Sequence, residues 1–354
     1  MPGIPEHFTT APLPIDPLLR GAAHTPVAFV QAVVLAFRRR GIPEAVALKA
    51  AQIAPSDLDQ PVHRVTAAQF EALTAAAMQQ LDDEALGWFS RPLPWGSYGM
   101  LARASLSAPT LGVALKRWCR HHGLLTRDIT LALQVQGDEA AIVLTEHRSP
   151  GGDGSLREFC HVSVLRNVHG LACWLVDSRI PLRGASFAFG APPHATAYGV
   201  LFDGPTLFDA GQTAIRFDAR YLDLPVKRDE AAMNQMLQRA LPIQVRPYRR
   251  DRLLVQRVRQ LLLTQPQDTR NAHDLAALLH TSARSLHRQL KEEGATLQAL
   301  KDEVRRERAM SLLQRSSKPV KQVAEAAGFQ NQKSFIRAFK GWTGMPPGAW
   351  RGRR

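Results

Sequence analysis

The apolar residues between positions 272 and 350 recur at helical spacing in two similar blocks. In the second block Phe335, Ala338, Phe339 and Trp342 follow the i, i+3, i+4, i+7 pattern, which predicts a helix with one buried face. Each block reads as a short apolar helix, a tight turn and a second helix with polar outer positions, so we predict two helix-turn-helix units in tandem. The other predicted inward residues are Leu275, Ala276, Leu279, Leu286 and Leu290 in the first block and Val320, Val323, Ala324 and Ala327 in the second.

The residues at the two turns fit this interpretation. Gly328 follows the last helical residue before the second turn, where glycine most easily takes the left-handed conformation. Asn331 is placed to cap the next helix by accepting hydrogen bonds from its free N–H groups. In the first block Ser282 or Thr281 takes the capping position, and His280 stands where the turn would favour glycine. That turn is therefore either slightly strained or uses histidine's tolerance for a positive φ.

Basic and amide side chains occupy the outer positions of the second helix in each block. Such a helix suits the DNA major groove, where arginine pairs with guanine, glutamine with adenine and an apolar side chain with the thymine methyl. The helical run Thr296 to Gln314 is roughly 27 Å long at about 1.5 Å per residue, which suits two major grooves about 34 Å apart. The candidate DNA-contacting residues are Arg284, Ser285, His287, Arg288 and Lys291 in the first block, and Asn331, Gln332, Lys333, Ile336, Arg337 and Lys340 in the second.

Residues 272–350 resemble the DNA-binding domain of AraC-type transcription regulators. The resemblance rests on many positions at fixed spacing, most densely in Gly328-Phe-Gln-Asn-Gln-Lys-Ser-Phe-Ile-Arg-Ala-Phe-Lys-Gly-Trp-Thr-Gly-Met-Pro-Pro-Gly-Ala-Trp-Arg351. It implies a sequence-specific regulator of transcription that binds double-stranded DNA, with RNA polymerase as a further expected partner. His280 departs from the family pattern, which concerns the geometry of the first turn.

The N-terminal part of the chain reads as helical up to about residue 90. Residues 1–20 are rich in proline, so we expect a disordered arm. The predicted helices are one through Val30, Val33, Val34 and Phe37 that ends at Gly41, a second at Glu44–Ala51, a third at Thr66–Leu81 with Thr66 as its cap, and a fourth at Asp82–Phe89.

The stretch from residue 91 to 225 alternates strands and helices. Ile129, Leu131, Leu133 and Val135 lead to a Gly137-Asp138 turn, and Ala141, Val143 and Thr145 follow, which predicts a β-hairpin. The order strand, strand, helix, strand, helix, strand predicts an α+β domain with a small sheet behind helices. The remaining predicted elements are helices at Thr110–His122, Leu156–Val176 and Pro192–Phe202, and strands at Ala185–Phe189 and Thr213–Phe217.

Residues 91–225 are similar to the sensor half of the arabinose-binding-like group of AraC-type regulators, which includes ornithine-utilisation regulators. The group label names a sugar, but its members answer to different effectors, so the resemblance implies an effector-binding domain and no particular ligand. The matching stretches are Leu106–Leu111, Pro192–His194, Tyr198, Leu201-Phe202 and Phe217–Pro225.

We therefore predict an α+β chain in which a helical N-terminal segment and a small α+β sensor domain precede an all-α double helix-turn-helix DNA-binding domain. The predicted segments are a disordered arm (1–20), a sensor and dimerisation domain (21–225), a connecting helix and linker (226–250) and the DNA-binding domain (251–354). Pro242 and Pro247 mark the linker.

The charge distribution agrees with a single polyanion-binding end. Residues 246–354 hold 23 Lys and Arg against 9 Asp and Glu, and the whole-chain totals of 45 and 31 leave 22 of each sign for the remainder. The formal charge of +14 thus lies in the last part of the chain, which favours a nucleic-acid partner there. The neutral remainder is better suited to self-association, because like charges would not repel, so we expect a homodimer that binds paired half-sites.

Two groups of residues in the sensor half are candidates for chemistry. An effector pocket should combine aromatic walls with a few polar groups, and the candidates are Trp95, Tyr98, Phe187, Phe189, His194 and Tyr198, although each also fits an ordinary core position. Cys160-His161, and His169 with Cys173 four residues later, stand on one predicted helix, and the i, i+4 spacing of His169 and Cys173 is compatible with two metal ligands on one face. The helix is largely apolar and cysteine is commonly buried, so we favour packing there and at His121-His122, with metal or redox sensing as the alternative and no cofactor predicted.

The sequence lacks the motifs of the common enzyme classes. Gly151-Gly-Asp-Gly154 is not followed by the Lys-Ser/Thr of a phosphate-binding loop, and Gly-x-Ser-x-Gly and His-Glu-x-x-His do not occur. We therefore predict a regulator and not an enzyme. The alternatives are an architectural protein that coats DNA without sequence choice, and an enzyme localised by a basic tail.

The sequence also bears on the compartment. It has no apolar run of about 18 residues or more and no basic start followed by an apolar stretch, so we expect neither a membrane partner nor a secretory signal. Three cysteines are a low and odd number, which fits a reducing compartment. We expect a cytoplasmic protein.

Overall fold

The computed structural model describes residues 23–149, 154–202, 204–238, 253–266, 268–269 and 271–351. The chain divides into two compact units, Met1–Arg249 and Arg250–Arg354. The predicted arm at 1–20 and the proline-bearing linker at 241–250 lie outside the described residues. Within the described part, no helix combines the length and apolar character needed to cross a membrane.

The first unit contains eight described α-helices and seven described strands. Its helices are α1 (Val27–Arg39), α2 (Ala45–Ala50), α3 (Ala67–Leu81), α4 (Ser97–Leu106), α5 (Leu111–Leu125), α6 (Ser155–Val176), α7 (Tyr198–Leu201) and α8 (Glu230–Leu237). Its strands are β1 (Thr25–Pro26), β2 (Arg64–Val65), β3 (Ile129–Gln136), β4 (Glu139–Glu146), β5 (Leu182–Ser186), β6 (Thr206–Leu207) and β7 (Thr213–Asp218).

The sheet of the first unit has the order β3-β4-β7-β5-β6, in which all neighbours are antiparallel except β5 and β6. Helix α6 packs on strands β4 and β7 and on helices α1 and α5. Apolar residues lie all round α6 and most of them are buried, as expected for a helix enclosed by neighbours. The predicted α+β fold with a sheet behind helices is confirmed, and α6 is its central helix.

The predicted hairpin is confirmed, but the buried face of its second strand is shifted by one residue. Leu131 pairs with Leu144 and Leu133 with Ile142, so these residues share the inner face of the sheet. Val143 is also buried, whereas Thr145 is exposed. Because the two-residue turn sets the pairing, the inner face of β4 carries Ala140, Ile142 and Leu144.

The fourth predicted helix, Asp82–Phe89, is wrong: this segment is an irregular turn. The buried carboxylate of Asp83 accepts hydrogen bonds from the backbone N–H groups of Ala85, Gly87 and Leu93, at 2.9 to 3.0 Å, and forms an ion pair with Arg40. A side chain that binds nearby N–H groups competes with the helical hydrogen bonds of the backbone. Asp83 therefore fixes a turn where apolar spacing favours a helix.

Helix α4 was not predicted, and its N-terminus explains why. The carboxylate of Glu84 accepts from the N–H of Gly96 at 2.7 Å and of Tyr98 at 2.6 Å. It thereby satisfies N–H groups that the first turn of a helix leaves free. The capping group comes from a distant turn, so no local start signal precedes α4.

Strand β5 lies three residues earlier than the predicted strand Ala185–Phe189. The backbone beyond β5 bonds to the end of β6 and to the turn that follows it: the N–H of Phe187 donates to the carbonyl of Leu207, and the N–H groups of Asp209 and Ala210 donate to the carbonyls of Phe189 and Phe187. Strand β6 was not predicted. The predicted helix Pro192–Phe202 is a 3₁₀ turn, Ala195–Ala197, followed by the short helix α7.

The second unit is entirely helical in its described part, as predicted. Its helices are α9 (Leu253–Thr264), α10 (Ala272–Leu278), α11 (Ala283–Glu292), α12 (Leu297–Arg315), α13 (Val320–Ala326), α14 (Gln332–Thr343) and α15 (Pro347–Arg351). Helices α10 and α11 form one helix-turn-helix pair, and α13 and α14 form the other.

Candidate nucleic-acid interface and ligand pocket

The two turns of the second unit have the predicted geometry. Gly328 lies in the left-handed region at φ +84° and His280 at φ +52°, so histidine's tolerance for this conformation is used. Ser282 caps α11 by accepting from the N–H of Ser285 at 3.1 Å. Asn331 caps α14 by accepting from the N–H of Ser334 at 2.8 Å. Each turn thus sets the start of the helix that carries the candidate DNA contacts.

Helices α11 and α14 each bury one face and expose the other. Leu286 and Leu290 of α11 are fully buried in one hydrophobic core, and Phe335 and Phe339 of α14 are fully buried in another. The candidate contact residues that lie exposed on these helices are Arg284, His287, Arg288 and Lys291 on α11 and Gln332, Lys333, Arg337 and Lys340 on α14.

Three of the candidate residues have structural roles as well. Ser285 is half-buried and its hydroxyl bonds to that of Ser282 at 3.0 Å. The side chain of Asn331 is used as the helix cap. Ile336 is partly buried and packs against the core beneath α14, so less of its side chain faces outward than the spacing predicts.

Helix α12 joins the two cores. Its first half contributes Leu297, Leu300 and Val304 to the core beneath α11, and its second half contributes Ala309 and Leu313 to the core beneath α14. It has 19 residues, so its length is about 28 Å at about 1.5 Å per residue. Because α12 is part of both cores, it fixes the separation of the two helix-turn-helix pairs.

The cations of the second unit fall into two sets. Arg259 forms ion pairs with Glu303 and Glu307, and the guanidinium of Arg305 lies 5.3 Å from the centre of the Phe329 ring. In contrast, no acidic side chain of the described residues lies within ion-pair distance of Lys333 or Arg337. The cations on the exposed face of α14 therefore have their charge available for an anionic partner.

The six candidate effector residues separate into two groups. Trp95 and Tyr98 line a pocket of about 420 Å³ in the first unit. Phe187, Phe189, His194 and Tyr198 instead pack with one another and with Phe208.

This second group is organised around one partly buried acid, Glu158. Glu158 accepts from the hydroxyl of Tyr198 at 2.6 Å and lies 2.7 Å from Nε2 of His194. The ring of Phe187 is fully buried against Tyr198. The polar atoms of this group are thus already bonded within the protein, which favours packing over ligand binding.

The pocket contains residues that the sequence did not indicate. They come from α3, the Asp83 turn, α4, α5, α6 and α8, so no single periodicity brings them together. The local signal was the density of large aromatic side chains between residues 88 and 118. The additional lining residues include Glu84, Trp88, Phe89, Arg103, Trp118, His122, Asn167 and Leu237.

His169 and Cys173 of α6 contact each other and a neighbouring backbone carbonyl. Nε2 of His169 lies 2.8 Å from the carbonyl of Ile180 and 3.6 Å from the Sγ of Cys173. All three cysteines are buried, and none forms a disulfide bond among the described residues. Among the described residues, no group of three or more His, Cys, Asp or Glu side chains is arranged to hold a metal ion.

Comparison with known proteins matches both parts of the chain to transcription regulators. Residues 41–226, more than half of the chain, match the arabinose-binding domain of AraC transcription regulators, and residues 275–353 match a helix-turn-helix domain. The chain is 29% identical over 337 residues to the ornithine utilization regulator of Pseudomonas aeruginosa, covering 95% of this chain and 98% of that one. It is 26% identical to the HTH-type transcriptional regulator VqsM of the same organism, over 70% of this chain and 77% of the other.

A solved structure also covers most of the chain. The crystal structure of the transcriptional regulator CdpR from Pseudomonas aeruginosa is 22% identical and covers 89% of this chain and 98% of that chain, with a TM-score of 0.34.

The two buried tyrosines give a matched test of the pocket. The Tyr98 hydroxyl has no hydrogen-bond partner among the described residues, whereas that of Tyr198 donates to Glu158. Tyr98→Phe should therefore leave the free energy of unfolding unchanged or raise it by up to about 1 kcal/mol, and Tyr198→Phe should lower it by about 1–3 kcal/mol. Urea denaturation followed by tryptophan fluorescence measures both. Equal destabilisation by the two changes would contradict an unpartnered Tyr98.

Proposed function

Since this chain belongs to the AraC family of transcription regulators, and so is a DNA-binding regulator of transcription, we propose that it reads DNA by placing α11 and α14 in two successive major grooves. The observation that carries the proposal is the exposed, unpaired basic face of α14, held beside that of α11 by the shared helix α12. The centres of successive major grooves are about 34–36 Å apart, and α12 is about 28 Å long.

The candidate contacts divide by chemistry into base readers and phosphate binders. Arg284, Arg288 and Arg337 have the two-pronged guanidinium that suits guanine, and Gln332 has the amide that suits adenine. Lys291 and Lys340 lie in the last turns of their helices, where a flexible ammonium suits a phosphate. We assign base reading to the arginines and Gln332, and backbone contact to the lysines. His287 is a further DNA-contacting residue on α11, and Lys333 is a further one on α14.

A matched pair of substitutions on α14 tests this division. Arg337→Ala should cost about 1–3 kcal/mol on a preferred duplex and relax the choice of base at one position, because a bidentate contact discriminates by about that much. Lys340→Ala should weaken binding to all sequences alike and reduce the slope of log affinity against log salt by about one. Competition binding with single-base variants of the duplex, at several salt concentrations, measures both effects.

Lys49→Ala, an exposed change in the first unit, serves as the control and should leave DNA binding unaltered. An equal, sequence-independent loss for Arg337→Ala and Lys340→Ala would move Arg337 to the phosphate contacts and contradict the assignment.

The proposal includes a homodimer formed by the first unit. One copy presents two reading helices, and linking two copies on paired half-sites raises affinity through effective concentration. Strand β3 supports this arrangement, because it stands at the edge of the sheet and no described strand pairs with its outer side. Its eight residues, ITLALQVQ, contain no charge and no proline, the features that usually protect an edge strand from pairing with another chain.

Sedimentation of the fragment 1–240 at micromolar concentration tests the dimer. We expect a dimer whose dissociation constant rises by about tenfold or more on Gln134→Lys, because antiparallel pairing of two β3 strands brings the central residues of both copies together. Thr145→Lys adds the same charge to the same face of the sheet on the inner strand β4 and should leave the dimer intact. A monomeric fragment, or equal effects of the two changes, would contradict pairing through β3.

We assign effector sensing to the arabinose-binding-type unit and contact with RNA polymerase to the DNA-bound protein. The location we propose is the cytoplasm, where a bacterial regulator of this family meets both DNA and polymerase.

A further inference from the structure

The pocket of the first unit contains polar atoms that the protein leaves without partners. They are the indole Nε1 of Trp88, the hydroxyl of Tyr98, Nδ1 of His122 and the amide oxygen Oδ1 of Asn167. Each is buried, and none has a hydrogen-bond partner among the described residues. A buried polar atom left unsatisfied costs about 1–3 kcal/mol, so a molecule that reached these atoms from the pocket would be stabilised by the hydrogen bonds it supplied.

These four atoms define part of what the ligand must offer. The indole N–H of Trp88 can only donate, so the ligand needs an acceptor. The Oδ1 of Asn167 can only accept, so the ligand needs a donor. Burial raises the pKa of Tyr98 well above its usual value, so its hydroxyl keeps its proton and can serve either role. The pocket therefore fits a molecule with a donor and an acceptor.

The charges at the pocket favour a cation over an anion. Its basic side chain, Arg103, is already bonded to Glu230 at 2.9 Å and to Asn234 at 2.6 Å. Burial lowers the pKa of His122 to about 4, so its imidazole is neutral at pH 7. Glu71 and Glu84 both line the pocket. A carboxylate ligand would meet two acids and one guanidinium whose charge Glu230 already compensates.

Glu84 is the charged group best placed to hold a cation. Its two backbone hydrogen bonds use part of the capacity of a carboxylate, which can accept about four. Burial raises the pKa of the Glu84 carboxyl, against the opposing effect of the Tyr98 and Gly96 N–H donors. The negative charge is thus poorly compensated, and a positive ligand would stabilise it.

The walls of the pocket suit the same class of ligand. Trp88, Trp95, Trp118 and Tyr98 line it, and the rings of Tyr98 and Trp118 meet edge to face at a centroid distance of 5.4 Å. The faces of indole and phenol rings attract cations as well as apolar carbon. The volume of about 420 Å³ falls within the range of small-molecule sites.

We propose that this pocket binds a small organic cation, an ammonium or guanidinium group on a carbon skeleton, with its charge beside Glu84 and its skeleton against the indole rings. That such binding would regulate the protein rests on the effector-sensing function proposed above. Leu237 and Gln238 of the α8 region also line the pocket, and α8 is the last described element before the chain continues to the DNA-binding unit. Arg103, which lines the pocket, donates hydrogen bonds to Glu230 and Asn234 of α8. A bound ligand would therefore affect the position of α8.

Three matched sets of compounds test the charge preference on the full-length protein. The three compounds of a set share one carbon skeleton, which is 2-phenylethyl, cyclohexylmethyl or n-pentyl. They differ only in the attached group, which is an amine, an alcohol or a carboxylate. We expect the ammonium form of at least one skeleton to bind about tenfold or more tightly than its alcohol, because hydrogen bonds to a charged group are the stronger ones, and the carboxylate to bind most weakly. Isothermal titration calorimetry at millimolar ligand measures this without DNA.

Two variants place the bound compound in this pocket. Glu84→Gln should abolish the preference for the amine. Glu44→Gln is the control: it removes the same charge at the start of α2, outside the pocket lining, and should preserve the preference. Tyr98→Phe retains the backbone N–H that bonds to Glu84 and should lower the amine's affinity several-fold, so it serves where Glu84→Gln does not fold.

Three results would overturn the proposal: ammonium forms that bind no more tightly than alcohols in every set, a carboxylate that binds most tightly, or an amine that binds Glu84→Gln with its preference retained or binds Tyr98→Phe with unchanged affinity. DNA affinity of the unliganded protein is measured separately, so a failure of ligand binding and a failure of the proposed DNA reading are distinguishable.

Discussion

The burial of one helix in two hydrophobic cores is the constraint on which DNA reading depends. Leu297, Leu300 and Val304 place the first half of α12 beneath α11, and Ala309 and Leu313 place the second half beneath α14. Neither core can move along α12 without exposing these side chains. The separation of the two exposed basic faces is therefore set by packing, and in the DNA reading proposed above this separation must match the spacing of the major grooves.

The geometry of the first unit depends in a similar way on two neighbouring acids, one buried and one partly buried. Asp83 holds an irregular turn by accepting three backbone N–H groups, and the next residue, Glu84, caps α4. Together they place Trp88 and Tyr98 at one pocket. Glu84, which caps α4, also lines that pocket. One residue therefore positions α4 and contributes negative charge to the pocket.

The sequence predicted the features that depend on residues close together in the chain, and it missed those that depend on contacts between distant residues. Gly328, His280, Asn331 and the apolar spacing of α14 act within a few residues, so the helix-turn-helix pairs and their caps were predicted correctly. Helix α4 is capped from a residue 12 to 14 positions away, and the pocket takes residues from several helices and a turn. Tyr98 and Tyr198 look alike in sequence, and only their three-dimensional partners separate them. Which candidate residues contact DNA stays a prediction.

Selection of bound duplexes from a random library by the full-length protein tests the central claim most directly. Two helices held in successive grooves should select two short blocks of preferred bases whose centres lie about 10 base pairs apart within one half-site. Substitutions on α11 should relax one block and substitutions on α14 the other. A single block, or two blocks at variable spacing, would contradict a rigid arrangement in which α12 fixes the distance between the reading helices.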